Sequence, residues 1–268
     1  MRLSKACSLL SGLFVCLLLL APALGTPAQA KPKTPVFVYA SPTLEVGVRI
    51  LAVTFRHQTE QQVEFIFGPP SRLMEIIHKG GHLDLVLSDD AKLLDDLASS
   101  GMTDPATRAP VIGTTLVLAA PVDNPPKIEL RKGFDLAHAL KGNLAVVSLK
   151  SGPEGVIAKQ AMEKFGWLDA MKGRFLVADD GKAAARAADR GQAGAALLYA
   201  PDVTWVMNIE TVATFPADSH DPIVFEGVAL KGAHPKAADF LAYIKSPKAL
   251  EYFQNARFTA LPPPTTKK

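Results

Sequence analysis

Cysteine is all but missing from this chain of 268 residues. Its two copies, Cys7 and Cys16, both fall within the first 20 residues, so the rest of the chain can form neither a disulfide nor a thiolate site. A dominant sign of charge is missing as well. With Arg2 and Lys5 set aside among the first thirty residues, 27 basic residues face 26 acidic ones. That balance excludes the basic stripe on which nucleic acid binding depends. Long apolar runs are confined to one place, residues 9–20, and even this run is broken by Ser11 and Gly12. There is no Gly-x-Ser-x-Gly elbow, no Walker loop and no His-Glu-x-x-His segment.

What is present at the N-terminus is a three-part export pattern. Arg2 and Lys5 give a basic start, the short apolar run follows, and small residues lead to Ala28-Gln29-Ala30. The run is too short to span a bilayer comfortably, so residues 1–30 read as a secretory signal cleaved after Ala30. Cys16 sits inside the apolar run, where a lipoprotein signal would want small neighbours. The expected compartment is therefore the periplasm, and the mature chain of 31–268 must be held together by packing alone.

From Val36 onward, short β-rich runs alternate with helical patterns. Strands are expected at 36–39, 63–67 and 83–87, with helices at 42–57, 71–78 and 91–99. The pattern then restarts with strands at 114–120, 144–147, 175–178 and 195–199, interleaved with helices at 135–140, 153–165 and 181–190. Two further strands, 211–215 and 223–230, precede helices at 236–244 and 247–255, and 261–268 reads as a frayed tail. This order predicts an α/β protein with parallel sheets covered on both faces, in two lobes. In such sheets ligands sit beyond the carboxyl ends of the strands, where helices begin.

The turns at those ends are suited to anions. Ser41-Pro42 opens a helix after the first strand, and Gly68-Pro69-Pro70-Ser71 does so after the second. Ser151-Gly152-Pro153-Glu154-Gly155 and Asp179-Asp180-Gly181-Lys182 do the same in the second unit. A helix start exposes free N–H groups and a partial positive charge, although each of these turns is equally an ordinary cap. Tyr199 ends its strand, where a phenol can point into a cleft and donate one hydrogen bond or simply pack. Together, four turns and a tyrosine could hold a tetrahedral dianion without Lys or Arg.

Several segments carry a family resemblance: VFVYASPT at 36–43, DLVLSDD at 84–90, residues 144–159, VATFPADSH at 212–220 and YIKSPKALEYFQNARFT at 243–259. They resemble the periplasmic molybdate-binding proteins of ABC transporters. The resemblance implies a two-lobed periplasmic binding protein fold (type II), each lobe a mainly parallel sheet flanked by helices, with the ligand cleft between lobes. It implies one lobe from 31–114 plus 218–268 and the other from 115–217. It also implies a monomer without cofactor or catalytic residue that binds molybdate or tungstate and delivers it to an inner-membrane permease. Ser41 matches the first ligand serine and Tyr199 the ligand tyrosine. The second ligand serine aligns with Pro70, beside Ser71, and Pro70 offers neither an N–H nor a hydroxyl. Glu154 and Gly181 match positions whose backbone N–H groups contact the oxyanion, but the Glu154 carboxylate would repel a dianion unless it points to solvent.

Two other readings are compatible with the residues: a binding protein for a different small anionic solute, in uptake or as a sensor, and a periplasmic enzyme. Six histidines are available to the latter: His57, His78, His82, His138, His220 and His234. His78 and His82 are four apart, but Gly80-Gly81 breaks the helix between them, so no metal pair is expected there. Asp95-Asp96 and Asp179-Asp180 are adjacent and cannot face one another as an acid–base dyad; they read as caps and surface charge.

Overall fold

The computed structural model describes residues 34–261. The expected signal at 1–30 and its cleavage point after Ala30 lie outside the described residues, as does nearly all of the expected tail. Among the described residues no helix is long and apolar enough to cross a membrane.

The first sheet is built from β1 (Val36–Ala40), β2 (Val63–Phe67), β3 (Leu85–Ser88) and β4 (Ala109–Thr114), with α1 (Glu45–Thr59), α2 (Pro70–His78) and α3 (Ala91–Ser99) between them. The chain then runs through β5 (Leu116–Pro121), α4 (Leu136–Ala139), β6 (Leu144–Val147), α5 (Pro153–Phe165), α6 (Trp167–Ala170), β7 (Phe175–Ala178), α7 (Gly181–Asp189), β8 (Ala195–Tyr199) and β9 (Ile209–Thr214). It ends with β10 (Ile223–Ala229), α8 (Lys236–Ile244) and α9 (Pro247–Asn255).

Among the described residues there are two five-stranded sheets, ordered β2-β1-β3-β10-β4 and β7-β6-β8-β5-β9. In each, three strands pair in parallel, and a reversed strand, β10 or β5, pairs antiparallel on both sides. Four strands of every five therefore run the same way, and the two sheets repeat one plan. β10 brings the chain back to the first sheet, after which α8 and α9 pack on α1. Phe55 meets Phe240 edge-on at 5.2 Å, and Thr54 and Tyr243 share a hydroxyl hydrogen bond of 2.7 Å.

The elements form where they do for local reasons. β1 is buried along nearly its whole length, as β-branched and aromatic residues in a sheet covered on both faces should be. In α7 the buried residues include Ala184, Ala185, Ala187 and Ala188, whose small side chains bring the helix close to the second sheet. Asp90 caps α3 by accepting from Leu93 N–H, Asp180 caps α7 through Ala183 N–H, and Ser246 caps α9 through Ala249 N–H. Of the other acids read as surface charge, Asp96 pairs with Lys92 at 2.6 Å and Asp95 with Arg108.

Several boundaries differ from the sequence reading, three of them with a clear cause. The strand expected at 114–120 is β5, and β4 before it was not expected; the two are separate because the chain crosses from one sheet to the other at Thr115. β3 starts at Leu85 rather than 83, since Asp84 is turned inward as a brace. Its buried carboxylate accepts from Phe37 N–H and His234 N–H, both at 2.7 Å, and lies 2.9 Å from His82. Finally, α2 starts at Pro70, one residue before the expected 71, with Pro69 as its cap residue.

Candidate functional site

The carboxyl ends of β1, β3 and β8 and the N-terminal ends of α5 and α7 converge between the sheets. Ser41 follows β1. Its N–H donates to Leu87 C=O at 2.9 Å and its hydroxyl to Asp89 Oδ1 at 2.8 Å, so it gives no side-chain cap to the 3-10 turn at Pro42–Leu44. Thr43, in that turn, reaches across to the other lobe, where its hydroxyl donates to Asp202 Oδ2 at 2.8 Å. Asp202 belongs to the 3-10 turn Ala200–Trp205 that follows β8, and it is fully buried.

Tyr199, the last residue of β8, is 1% exposed. Its ring meets Phe225 of the first sheet edge-on at 6.2 Å. Its hydroxyl faces the carboxylate of Asp89 yet makes no hydrogen bond of normal geometry. Glu154 lies in the first turn of α5, and its side chain does not point to solvent: Oε1 is buried without a partner. Gly181 opens α7 and explains the approach of the acids. A Cβ there would lie 2.4 Å from Asp202 Oδ2 and 2.9 Å from Glu154 Oε1, so only glycine leaves room for both.

The electrostatics follow from this crowding. Burial raises Asp89 to about 6, against hydrogen bonding from Ser41. Burial likewise raises Asp202 to about 7, against the Thr43 hydrogen bond and the charge of Lys182. Glu154 is held well above the usual carboxylate range by burial and then by the charges of Asp202 and Asp89. Tyr199 is raised by burial and by Asp89 and Glu154. Lys182 is buried and bonded to Glu45 of the other lobe, and its ammonium stacks 4.2 Å over the Trp205 ring. Although burial pushes Glu45 upward, its hydrogen bonds from Lys182 and Arg49 prevail and lower it.

The structure thus gathers Ser41, Tyr199, Glu154 and Gly181 into one cleft. The turn that carries Pro70 is tied to the first lobe's own core through the Tyr39 hydroxyl, which donates to Pro69 C=O at 2.6 Å. Ser71 is exposed on the first turn of α2, outside the buried group. Sequence reasoning missed Thr43, Asp89, Asp202 and Lys182. The only signal for Asp89 was its place after a strand, and the adjacent Asp90 looks the same in sequence yet serves as the helix cap. Among the described residues no group of three or more His, Cys, Asp or Glu is placed to hold a metal ion.

Residues 36–259 match the model of the bacterial extracellular solute-binding protein family. The chain is 30% identical to the molybdate-binding protein ModA of Haemophilus influenzae over 246 residues, covering 90% of this chain and 96% of that one. It is 29% identical to the Escherichia coli ModA over 230 residues, covering 83% and 88%. Among solved structures, the periplasmic molybdate-binding protein of Azotobacter vinelandii superposes with a TM-score of 0.72 at 22% identity, covering 85% of this chain and all of that one. With its two sheets of one plan and a cleft between them, the chain belongs to the bacterial extracellular solute-binding protein family and is a relative of its molybdate-binding members.

Proposed function

We propose that this protein captures a tetrahedral oxyanion in the cleft between its lobes, outside the cytoplasmic membrane, and hands it to the permease of an ABC uptake system. In this reading it acts as a monomer, without catalysis or cofactor. The lobes are 31–114 with 218–268 and 115–217, and the candidate anions begin with the molybdate its relatives are named for, and tungstate. The observation that carries the reading is the Tyr199 hydroxyl, buried at the end of β8 and facing Asp89 without a hydrogen bond of normal geometry, where two helix N-termini converge. A buried hydroxyl left unbonded costs about 1–3 kcal/mol, which a ligand acceptor would recover. Ser41, Glu154 and Gly181 border the same space; Pro70 and Ser71 belong to its rim in this reading.

A thermal melt series against molybdate, tungstate, sulfate and phosphate tests it, because a ligand of the folded state stabilises it by RT ln(1 + [L]/Kd) and so raises the melting temperature. At least one anion should do so. Tyr199→Phe should then weaken that anion by about tenfold or more, the equivalent of a hydrogen bond to a charged group, while the ligand-free melt holds or rises, since a poorly bonded buried hydroxyl is gone. No shift with any of the four anions would overturn the reading, and an unchanged affinity in Tyr199→Phe would remove that residue from the site. Export is read separately: the mature chain from the periplasmic fraction should begin at Lys31, and an intact Met1 would contradict cleavage after Ala30.

A further inference from the structure

Lys182 stands where a cationic partner for an anion would be sought, on the first turn of α7 next to Gly181. The structure commits its side chain to other groups. Its ammonium bonds to Glu45, the first residue of α1 on the side of the first sheet. It also lies 4.2 Å from the centre of the Trp205 ring, in the turn after β8, and 5.7 Å from that of Phe67, the last residue of β2. Lys182 is 7% exposed, so these contacts are made away from water. Glu45 is steadied from within its own helix by Arg49 at 2.6 Å, and Arg49 lies over the same Phe67 ring at 5.0 Å.

Local forces do not account for a lysine at this position. A cation on the first turn opposes the helix dipole, and burying one is costly unless it is paired. The pairing comes from across the cleft, 137 residues away in sequence. A second bond crosses beside it, from the Thr43 hydroxyl to Asp202, whose carboxylate also feels the charge of Lys182. Parting the two halves would break both bonds and draw Lys182 away from Phe67, leaving it with Trp205 on its own side. Glu45 and Lys182 would then return to water separately. A contact made in the closed arrangement and lost in the open one raises the closed population, and the apparent affinity for any solute enclosed rises with it.

We propose that Lys182 governs affinity without touching the ligand: held by Glu45, Phe67 and Trp205, it is the latch that keeps the two halves of the protein together. It is a positioning residue, and its effect is to slow the escape of the enclosed solute. The latch itself requires no particular ligand; only its expression as oxyanion affinity rests on the reading above.

Small-angle scattering and binding kinetics with molybdate, on the full mature chain and its variants Lys182→Met and Glu45→Gln, test the latch. Without ligand, both variants should show a larger radius of gyration than the parent. Molybdate should bind each about tenfold or more weakly, through faster release. The double variant should be no worse than the poorer single one, because the same contact is removed in all three. Trp205→Leu, which takes away only the ring, should move both readings in the same direction by a smaller factor, and covers a charge variant that does not fold. The response to Glu45→Gln separates a latch from a ligand contact. A Lys182 that bonded the anion would be freed by that change, and molybdate would bind as tightly as to the parent or tighter. That result overturns the proposal, as does a ligand-free radius unchanged in every variant. If molybdate does not bind the parent, the fault lies with the ligand reading, and the ligand-free radii alone decide the latch.

Discussion

Ligand-free protein should lose stability as pH rises from about 4 to about 7, and Asp202→Asn should remove a large part of that loss, with Asp89 and Glu154 supplying the rest. Asp202 is fully buried and titrates at about 7 in the folded chain, against an ordinary aspartate value near 4 when unfolded. Between those two values the folded state binds more protons than the unfolded state, so stability falls with each step upward in pH and levels off above the folded value. Raising Asp202 that far corresponds to a loss on the order of 4 kcal/mol on the alkaline side. Asp89, raised to about 6, works in the same direction over the lower part of the window. For a chain of this size the loss translates into roughly 10 °C of melting temperature. Asn keeps an oxygen for the Thr43 hydroxyl, which lies 2.8 Å from Asp202 Oδ2, and carries no charge to bury. The variant should melt close to the parent at about pH 4 and clearly above it at about pH 8. Parallel melting curves for the two proteins across that range would show that Asp202 does not titrate as its surroundings dictate.

Gly155→Ala should be among the most damaging single methyls added to the second lobe. In an exposed helix the exchange would help by about 1 kcal/mol. Here a Cβ would fall 1.8 Å from Ser148 C=O oxygen and 2.8 Å from its carbon, both backbone atoms of the segment that follows β6. Neither a rotamer change nor a flexible side chain can relieve that contact, so α5 must lift from the sheet. The cost should reach about 4 kcal/mol or more, the range reserved for a disrupted core. Gly152→Ala gives the comparison. Its φ of +76° makes any side chain strained, yet no atom lies within 4 Å of its Cβ position. It should cost about 1–3 kcal/mol. Urea denaturation of both variants checks the order, and a Gly155→Ala penalty smaller than that of Gly152→Ala would contradict the close contact.

These expectations depend on positions the sequence disclosed unevenly. β2, β6, β7 and β8 and the helices α3, α5, α8 and α9 fall on the residues their periodicity marks, because proline, glycine or capping residues bound each run. β4 was hidden by Pro110 and Gly113, which argue against a strand. It survives at the outer edge of its sheet, where a missing N–H costs least. In the cleft, Ser41 and Tyr199 are legible because strand ends are where ligands sit. Asp89 and Asp202 are not. An acid after a strand looks like a helix cap, and whether it caps or turns inward is settled by partners 48 and 159 residues away. Glu154 was seen, but its inward orientation depends on Gly181, which no local pattern reveals.

The passage of the chain between the sheets has a mechanical consequence. The two crossings run side by side: Thr114 of β4 pairs with Ile223 of β10, and Val117 of β5 pairs with Thr214 of β9. Two neighbouring straps let a box lid swing about one line while preventing it from sliding or twisting. Asp89 rides on one half of the box and Glu154 and Asp202 on the other. One angle of that swing therefore sets the distance of Asp89 from both acids opposite it at once.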